Sequence, residues 1–156
     1  MARHTSPPPN APDPRWLSLD RQLCFALYSA SMAMTKVYKP LLEPLGLTDP
    51  QYLVLLVLWE EDACTVSALG ERLRLDSGTL TPLLKRMASA GWLSRERDAQ
   101  DERRVRLHLT DKAQALRQQA LGIPERVACA SACSLNEINH LTQQLQQLRQ
   151  SLSDAA

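Results

Sequence analysis

The sequence has few aromatic residues, few glycines and no long apolar run. Phe, Trp and Tyr together make up 4% of its 156 residues, and glycine occurs five times. No stretch of eighteen consecutive apolar residues occurs, which excludes an ordinary membrane-spanning helix and predicts that no membrane is involved. The N-terminus also has no continuous apolar segment of the kind that directs secretion. We therefore expect a cytoplasmic protein.

Aliphatic side chains compensate for the shortage of aromatic ones. Hydrophobic residues are 44% of the chain and leucine dominates them, which is enough for a core and favours helices. The length predicts one domain. Residues 1–14 contain five of the ten prolines and no periodic pattern. We therefore predict a disordered arm over 1–14 and a single domain over 15–156.

The four cysteines are irregularly spaced along the chain. Their spacing is not that of a secreted disulfide framework, and in the cytoplasm such thiols are typically reduced and serve as catalytic, sensing or metal-binding groups. A zinc site is one alternative, because Cys129, Cys133 and His140 follow one another at helical spacing. No fourth ligand is evident nearby, so we expect no metal and no cofactor.

Two short helices joined by a tight turn are predicted between Thr65 and Gly91. Thr65 is the expected N-cap of the first helix, and the second begins at Asp76 or Ser77 and ends at Gly91. Their inner faces carry apolar residues at helical spacing, namely Val66, Leu69, Leu73, Leu80, Leu83, Leu84 and Met87. The outer face of the second helix is assigned Ser77, Thr79, Thr81, Pro82, Lys85 and Arg86.

A β-hairpin is predicted directly after these helices. Residues 92–97 and the alternating residues 105–109 are typical of two strands, and the charged segment 98–104 joins them as a loop. Cys64 and its neighbours are candidates for a short additional strand. The expected fold class is therefore mainly α with a small β-hairpin wing. It is a winged helix-turn-helix over about 48–109, with N- and C-terminal dimerisation helices.

This arrangement suits double-stranded DNA. A helix with short polar residues near its N-terminus can enter the major groove, and a wing can carry an arginine into the adjacent minor groove. Residues 71–106 hold nine basic and six acidic residues, a local net charge of +3 in a chain of net charge +1. The charge alone is equally typical of a solvated hairpin. The helix-turn-helix pattern and the wing together favour DNA binding.

Long helices are predicted on both sides of this unit. The first runs from Ser18 to about Leu45, with Ser18 or Asp20 as its cap and Pro40 as a possible bend. Residues 51–60 are nearly all apolar and fit either a buried strand or a buried helix, and the Pro50 start favours the helix. After the wing, Thr110 is expected to cap a helix that Pro124 kinks.

The last helix has a narrow leucine seam and a glutamine-rich opposite face. It opens with a capping box at Ser134 and Glu137. The seam predicts a coiled-coil-like homodimer contact, although packing within the chain is the alternative. Dimerisation helices are thus placed at about 18–45 and 110–153, and a two-fold dimer suits a pseudo-palindromic operator. The seam consists of Leu135, Ile138, Leu141, Leu145, Leu148 and Leu152.

The chain resembles the MarR family, and in particular its OhrR branch of organic-hydroperoxide-sensing repressors. The resemblance covers roughly residues 17–152 and rests on four sequence words. These words are QLCFALYS at 22–29, PQYL at 50–53, LDSGTLTPLLKR at 75–86 and DER at 101–103. The resemblance implies a repressor that is not an enzyme and that binds operator DNA as a homodimer until an organic hydroperoxide induces its release.

The resemblance also assigns roles to particular residues. It makes Cys24 the peroxidatic thiol, which becomes a sulfenic acid, and Cys129 of the other subunit the thiol that closes a disulfide, as in the two-cysteine subgroup. Cys133, one turn further on, is a possible substitute for Cys129. In the wing, Arg103 is expected to enter the minor groove while Asp101 steadies the loop, and we add Arg104 to the predicted DNA contacts.

Two tyrosines and one aspartate are expected around the thiol. Tyr28 lies one helical turn from Cys24. Tyr38 is about 21 Å further along a straight helix, so it would reach a Cys24 thiol only across a dimer interface. Where the family has a second tyrosine, this chain has Asp49. A carboxylate there would oppose formation of the thiolate, unless Asp49 points to solvent or caps the second helix.

Other interpretations remain open. Cys24 also fits a small core residue, the pair Asp101 and Arg103 also fits an ordinary surface ion pair, and Cys64 has no assigned role. The whole chain also fits a MarR-type regulator released by a phenolic ligand without redox chemistry, a thiol peroxidase, or an activator rather than a repressor.

Overall fold

The computed structural model describes residues 13–156. It divides them into two compact units, of which the first ends at Lys36 and the second is Val37–Ala156. The predicted disordered arm at 1–14 lies almost wholly outside the described residues. The arm and the single domain over 15–156 both stay predictions.

The described chain is mainly helical and carries a two-stranded antiparallel hairpin, which confirms the expected fold class. Three short 3-10 helices occur at Pro14–Leu17, Leu19–Arg21 and Glu43–Leu45. The α-helices are α1 (Leu23–Leu42), α2 (Asp49–Glu60), α3 (Val66–Leu73), α4 (Ser77–Ser89), α5 (Asp111–Ala120), α6 (Ile123–Ala130) and α7 (Leu135–Ala155). The hairpin consists of β1 (Leu93–Arg97) and β2 (Val105–Leu109).

Helix α1 is shorter than the sequence predicts. It begins at Leu23, and Ser18 instead precedes a 3-10 turn without capping it through its side chain. The reason is Gln22, whose extended backbone separates the 3-10 turns from α1. Pro40 lies inside α1 and does not end it. The chain turns away after Leu45 at Gly46, whose φ of 71° is left-handed and favours glycine.

The hydrophobic core lies in the second unit and is centred on α2. This segment is a helix, so the alternative of a buried strand over 51–60 is wrong. Its apolar residues point in several directions because α3, α4, α5 and β2 all contact it. The least exposed large side chains of the core are Leu42, Val54, Leu55, Leu58, Leu69, Leu80, Leu84, Met87 and Leu107.

The helices after the wing also differ from the expected pattern at one point. Thr110 caps α5 as predicted, accepting a hydrogen bond from the Ala113 amide. Pro124 does not kink a continuous helix. Instead the helix breaks at Gly122 and Pro124 lies in the first turn of α6, where its missing N–H has no helical partner to lose.

Helix α7 opens with the predicted capping box. The Glu137 amide donates to Ser134 Oγ at 3.2 Å, and the Ser134 amide donates to Glu137 Oε2 at 2.7 Å. These bonds satisfy two amide donors that a helix start would otherwise leave unpaired. Among residues 13–156, no single helix is long and apolar enough to cross a membrane, and α1 with α2 would meet that test only as a bent pair.

Candidate DNA-binding lobe and thiol sites

The junction of α3 and α4 is fixed by caps and by one close approach. The Ala68 amide donates to Thr65 Oγ1 at 3.1 Å, and the Thr79 amide donates to Asp76 Oδ1 at 2.8 Å. Arg74 ends α3 in the left-handed conformation with a φ of 55°. A Cβ at Gly70 would lie 3.1 Å from the Leu75 carbonyl oxygen, so the turn is packed tightly against α3. The two helices thus hold a fixed angle.

Helix α4 has the two faces that the sequence predicts. Leu80, Leu83, Leu84 and Met87 are buried. Thr81 is half-buried. The exposed residues of the opposite face are Ser77, Thr79, Pro82, Lys85 and Arg86. This face combines hydroxyl groups and two cations at the start and along the length of one helix, which is the composition that base edges and phosphates bind.

The hairpin is attached to the turn between α2 and α3. Strands β1 and β2 pair antiparallel with Leu93 opposite Leu109. On its other side β2 is joined to Thr65 by an isolated bridge, and the Leu107 amide donates to the Cys64 carbonyl at 2.9 Å. The short additional strand that the sequence suggested at Cys64 is therefore present as a single bridge.

The tip of the wing is organised by Asp101. Its Oδ1 accepts the Arg103 amide at 3.1 Å and its carbonyl accepts the Arg104 amide at 2.9 Å. Its Oδ2 lies 3.6 Å from Arg104 Nε. Arg103 is exposed, and its guanidinium forms no ion pair with another residue of 13–156. Asp101 thus steadies the loop and leaves the charge of Arg103 available.

A second charged pair, not predicted from the sequence, lies at the base of the wing. Asp98 follows β1 directly and is the one buried charged side chain in the described part of the chain. Its Oδ2 accepts Arg106 Nε at 2.6 Å. The Gln100 amide, and after it the Arg106 guanidinium, hold the pKa of Asp98 below its ordinary value. The available signal was an acid ending one strand and an arginine within its partner.

The C-terminal end of α4 is held by the start of α5. Lys112 Nζ donates to the Ala90 carbonyl at 2.9 Å and lies 4.0 Å from the centre of the Trp92 ring. Thr110 Oγ1 donates to the Gly91 carbonyl at 2.7 Å. A cation at a helix C-terminus is favourable because the last carbonyls are unpaired. Movement of α5 is therefore expected to reach α4.

Cys24 lies near the start of α1, in the first unit. It is exposed, and among residues 13–156 no hydrogen-bond donor contacts its Sγ. Tyr28, one turn further on, is 63% exposed. The alternative of a core cysteine does not fit this exposure, because a small apolar core residue is excluded from solvent. An exposed thiol is accessible to a soluble oxidant.

Cys129 and Cys133 lie on either side of the turn between α6 and α7. Cys129 is exposed, and Cys133 is half-buried with its Sγ donating to the Ser131 carbonyl at 3.2 Å. Ala132, between them, is left-handed with a φ of 52°. All four cysteines are free thiols, and within residues 13–156 no three cysteine, histidine, aspartate or glutamate side chains form a metal-binding group.

Tyr38 lies in the second unit, in a row of aromatic rings. Its ring centre is 5.9 Å from that of Tyr52, which is 6.4 Å from that of Trp59. Trp59 Nε1 donates to the Ala113 carbonyl at 3.0 Å and so links the row to α5. Burial, and secondly the charge of Asp49, raise the pKa of Tyr38.

Asp49 does not cap α2. Thr48 is the cap, with its Oγ1 accepting the Gln51 amide in a capping box, and Asp49 is the first helical residue. It is half-buried rather than pointing freely to solvent. The capping role that the sequence offered for this carboxylate is therefore wrong. Asp49 lies instead in the first turn of α2, where the helix dipole favours a negative charge.

Cys64 differs from the other thiols by its surroundings. It is half-buried beside the wing, and burial raises the pKa of its thiol, as do the nearby charges of Glu61 and Asp62. The thiolate is the form that reacts with peroxides, so this environment disfavours reaction. Cys64 therefore makes a suitable control for the exposed cysteines.

Two comparisons with known sequences decide the family. The family described as "Transcriptional regulator SarA/Rot" matches residues 36–119. The organic hydroperoxide resistance transcriptional regulator of Bacillus subtilis (strain 168) is 46% identical over 136 residues, which is 87% of this chain and 92% of that protein. The chain belongs to the MarR family, in its OhrR branch. This MarR-family chain is a DNA-binding transcriptional regulator.

Solved structures agree with the MarR assignment. The structure of reduced AbfR bound to DNA is 36% identical, has a TM-score of 0.71 and covers 86% of this chain and 94% of that one. The structure of disulfide-formed AbfR is 40% identical, has a TM-score of 0.58 and covers 83% and 91%. AbfR is a protein of Staphylococcus epidermidis. The winged-helix fold of this MarR-family chain is thus shared with a regulator solved on DNA.

Proposed function

We propose that this chain is a homodimeric repressor that binds operator DNA while its thiols are reduced and is released by organic hydroperoxides. The observation that carries the proposal is the exposed thiol of Cys24 on α1, in a chain 46% identical to an organic hydroperoxide resistance regulator. A DNA-binding regulator of this kind acts in the cytoplasm. It consumes one peroxide for each switching event and is not an enzyme.

The proposed chemistry begins at Cys24. Its thiolate attacks the O–O bond of the hydroperoxide, which leaves a sulfenic acid on sulfur and releases the alcohol after protonation. The thiol of Cys129 of the partner subunit then attacks that sulfur, forms the S–S bond and releases water. Cys133, half-buried and bonded to the Ser131 carbonyl, is the second choice for this step. The peroxide is reduced and the two thiols are oxidised, so the electrons balance.

The dimer is supported by the surface of α7. None of its residues is buried, and large apolar side chains such as Leu141 and Leu145 are 51% and 42% exposed. An exposed apolar stripe of this length marks an interaction surface. A narrow seam of leucines at three- and four-residue steps fits a second copy of the same helix. Packing within the chain, the alternative, does not bury this seam.

DNA recognition is assigned to α4 and the wing. In this proposal the exposed face of α4 enters the major groove with Ser77, Thr79, Thr81, Pro82, Lys85 and Arg86. Arg103 enters the minor groove, Arg104 binds backbone phosphate, and Asp101 orders the loop that carries both. Two such units in a two-fold dimer read a pseudo-palindromic operator, because each unit binds one half-site.

Release follows from the coupling between the dimerisation helices and α4. A disulfide between Cys24 and Cys129 of the partner subunit moves these helices, and α5 transmits the movement through Lys112 and Thr110 to the end of α4. A small change in the separation of the two recognition helices prevents both from occupying their half-sites at once.

A second candidate function rests on a cleft beside α2. A cavity of about 200 Å³ lies among Tyr52, Leu56, Trp59, Glu60, Arg117, Ala120, Leu121 and Pro124. Its walls are mainly apolar, with one arginine and with Glu60, whose carboxylate is paired with Arg72 at 2.7 Å. This lining fits a single aromatic ring with an anionic oxygen facing Arg117. A phenolic ligand in this cleft would release DNA without any change at sulfur.

The experiment that separates the two functions measures DNA release. An operator duplex is selected from a random-sequence pool by the reduced wild-type protein, and its binding is followed by fluorescence anisotropy with one equivalent of cumene hydroperoxide. We expect release of wild type and of the control Cys64→Ser, reversal by dithiothreitol, and no release of Cys24→Ser. Equal release of Cys24→Ser would overturn the role of Cys24. Release by salicylate but not by peroxide would favour the second candidate.

A further inference from the structure

We propose that Asp98 and Arg106 form a strut that orients the wing, and that neither residue contacts DNA. The inference rests on the proposed role of Arg103 in the minor groove. The strut is defined as the Asp98 carboxylate, the Arg106 guanidinium and the Ala63 carbonyl that accepts a hydrogen bond from that guanidinium. It lies at the base of the wing, whereas Asp101 orders the tip.

The Asp98 carboxylate is buried. Its side chain is 8% exposed, although it sits in a charged surface loop. Asp98 makes three short hydrogen bonds. The Asp98 amide donates to the Arg104 carbonyl at 2.8 Å, and the carboxylate accepts both the Gln100 amide and Arg106 Nε. Burial of a carboxylate is unfavourable unless hydrogen bonds and a nearby cation replace its hydration. Because the contacts of Asp98 supply both, they hold the start of the wing loop in one conformation.

Arg106 contacts the turn between α2 and α3. Arg106 Nη1 donates to the Ala63 carbonyl at 2.9 Å, and Ala63 is itself left-handed with a φ of 62°. Asp62 Oδ1 accepts the Leu109 amide at 2.9 Å on the same turn. One guanidinium therefore connects the wing loop to the turn that precedes α3. The orientation of the wing is set relative to the helix-turn-helix.

Arg106 and Arg103 differ in whether their positive charge is paired. Arg106 is one of the nine basic residues in the cationic stretch 71–106, and on sequence alone it counts toward DNA attraction. Here its charge is paired with Asp98 at 2.6 Å. Arg103 has no such partner among residues 13–156. The two arginines therefore have different roles. Arg106 orients the wing, and the wing in turn positions Arg103.

The strut makes a prediction of opposite sign to simple electrostatics. Asp98→Asn removes a negative charge close to the DNA-facing loop, so electrostatics alone predicts tighter binding to the operator. The strut predicts weaker binding by about tenfold, comparable to loss of one wing contact. Glu96→Gln is the matched control, because Glu96 is an exposed acid on the same hairpin, paired only loosely with His108 at 3.6 Å.

The test is a double-mutant cycle on the full-length reduced protein, with the selected operator duplex as the probe. Asp98→Asn and Arg103→Ala are each expected to lower affinity about tenfold, and the double variant to lose little more than either, because both act through the same contact. Arg106→Gln should behave like Asp98→Asn and add nothing to it. Each variant's salt dependence should fall by about one unit of slope.

Three results would overturn the strut. These are unchanged or tighter binding by Asp98→Asn, a full additional tenfold loss when it is combined with Arg103→Ala, or an equal loss in Glu96→Gln. If Asp98→Asn weakened binding only by partly unfolding the protein, its loss of affinity would add to that of Arg103→Ala. An additive result therefore distinguishes unfolding from a positioning role. If Arg103→Ala itself leaves affinity unchanged, the wing assignment of the proposed function fails instead.

Discussion

The winged helix-turn-helix lobe, residues 49–109, and the last helix α7 treat their leucines in opposite ways. In the lobe, Leu55, Leu58 and Leu84 are at most 1% exposed, and helix starts are capped within the chain. In α7 no residue is buried. Both segments are regular and well capped, so the difference is not one of helix quality. The lobe has its packing partners in the same chain, whereas α7 has an apolar face without one.

The difference indicates which part of the molecule buries its apolar side chains within one chain and which part does not. A lobe that buries its own core holds α4 and the wing in a fixed relation. The exposed faces of α7 and of the first half of α1 require another surface, and a second copy of the chain is the one that we propose. Regulation then acts on the incomplete part, because the contact between copies is the part of the structure that oxidation can rearrange. Each prediction below tests one side of this comparison.

The largest effect is expected from a cavity in the lobe. Leu84→Ala removes a fully buried side chain from the inner face of α4 and should lower the free energy of unfolding by about 2–5 kcal/mol. Leu152→Ala, at a 55% exposed position in the α7 seam, is the comparison and should change it far less at protein concentrations too low for the proposed dimer to form. Urea denaturation followed by circular dichroism measures both. Similar losses in the two variants would contradict the contrast between the segments.

A charge in the α7 seam should break the dimer and spare the lobe. Leu145→Glu places a carboxylate in the proposed contact, so sedimentation should show a monomer. Operator affinity should fall by about 100-fold or more, because two linked half-site contacts become one. Gln146→Glu, on the glutamine-rich face, is the control of equal charge. A dimeric Leu145→Glu variant would contradict the seam.

Within the lobe, loss of one wing contact should cost less. Arg103→Ala should weaken operator binding by about 1–3 kcal/mol and reduce the salt dependence by about one unit of slope. The control is Lys39→Ala, which removes one positive charge paired with Glu43 at the end of α1. Fluorescence anisotropy at several salt concentrations measures both. If both substitutions lowered the operator affinity and its salt dependence equally, Arg103 would contribute only general charge attraction and no wing contact.

The smallest effect is expected on the free energy of unfolding at acidic pH. It has the same sign for Asp98 in the lobe and for Glu137 in α7. Hydrogen bonds hold the pKa of Asp98 below its ordinary value of 3.8 and that of Glu137 below 4.5, chiefly from the Gln100 amide and the Ser134 amide respectively. A lowered folded pKa stabilises the protein above these ordinary values, and the contribution is lost as the pH falls through the folded value.

Asp98→Asn and Glu137→Gln should therefore each reduce the loss of stability between pH 5 and pH 3, measured by urea denaturation at fixed pH. The exposed acid Glu102 provides the comparison variant Glu102→Gln, which removes a carboxylate of the same wing loop that accepts none of these hydrogen bonds. An acid dependence that is the same in all three variants and wild type would show that these carboxylates do not differ between the folded and unfolded states.

The sequence predicted best where local signals agree. Thr65, Asp76, Thr110 and Ser134 were all expected as caps and all act as caps, because a short polar side chain followed by a periodic apolar face specifies a helix start. The prediction failed at the start of α1. Ser18 also looks like a cap, but the backbone of the chain after it forms 3-10 turns before α1 begins.

The parts of the site that could not be predicted depend on tertiary contacts. Asp98 and Arg106 are eight residues apart and meet only because the hairpin register brings β2 back against the loop. Asp49 was expected in the thiol environment, with capping of α2 or exposure to solvent as the alternatives. In the structure Thr48 caps α2, and burial and secondly the charge of Asp49 raise the pKa of Tyr38. The proposed pairing of Cys24 with Cys129 would join two subunits, so no property of one chain determines it.

The most direct test of the redox switch is non-reducing electrophoresis of the purified protein before and after one equivalent of organic hydroperoxide. Wild type, Cys24→Ser, Cys129→Ser and Cys133→Ser are compared, with Cys64→Ser as the control. The account predicts a covalent dimer in wild type, Cys64→Ser and Cys133→Ser, and none in Cys24→Ser or Cys129→Ser. A dimer that persists in Cys129→Ser and disappears in Cys133→Ser would transfer the resolving role to Cys133. No covalent dimer in wild type, with all thiols still titratable, would contradict the central claim.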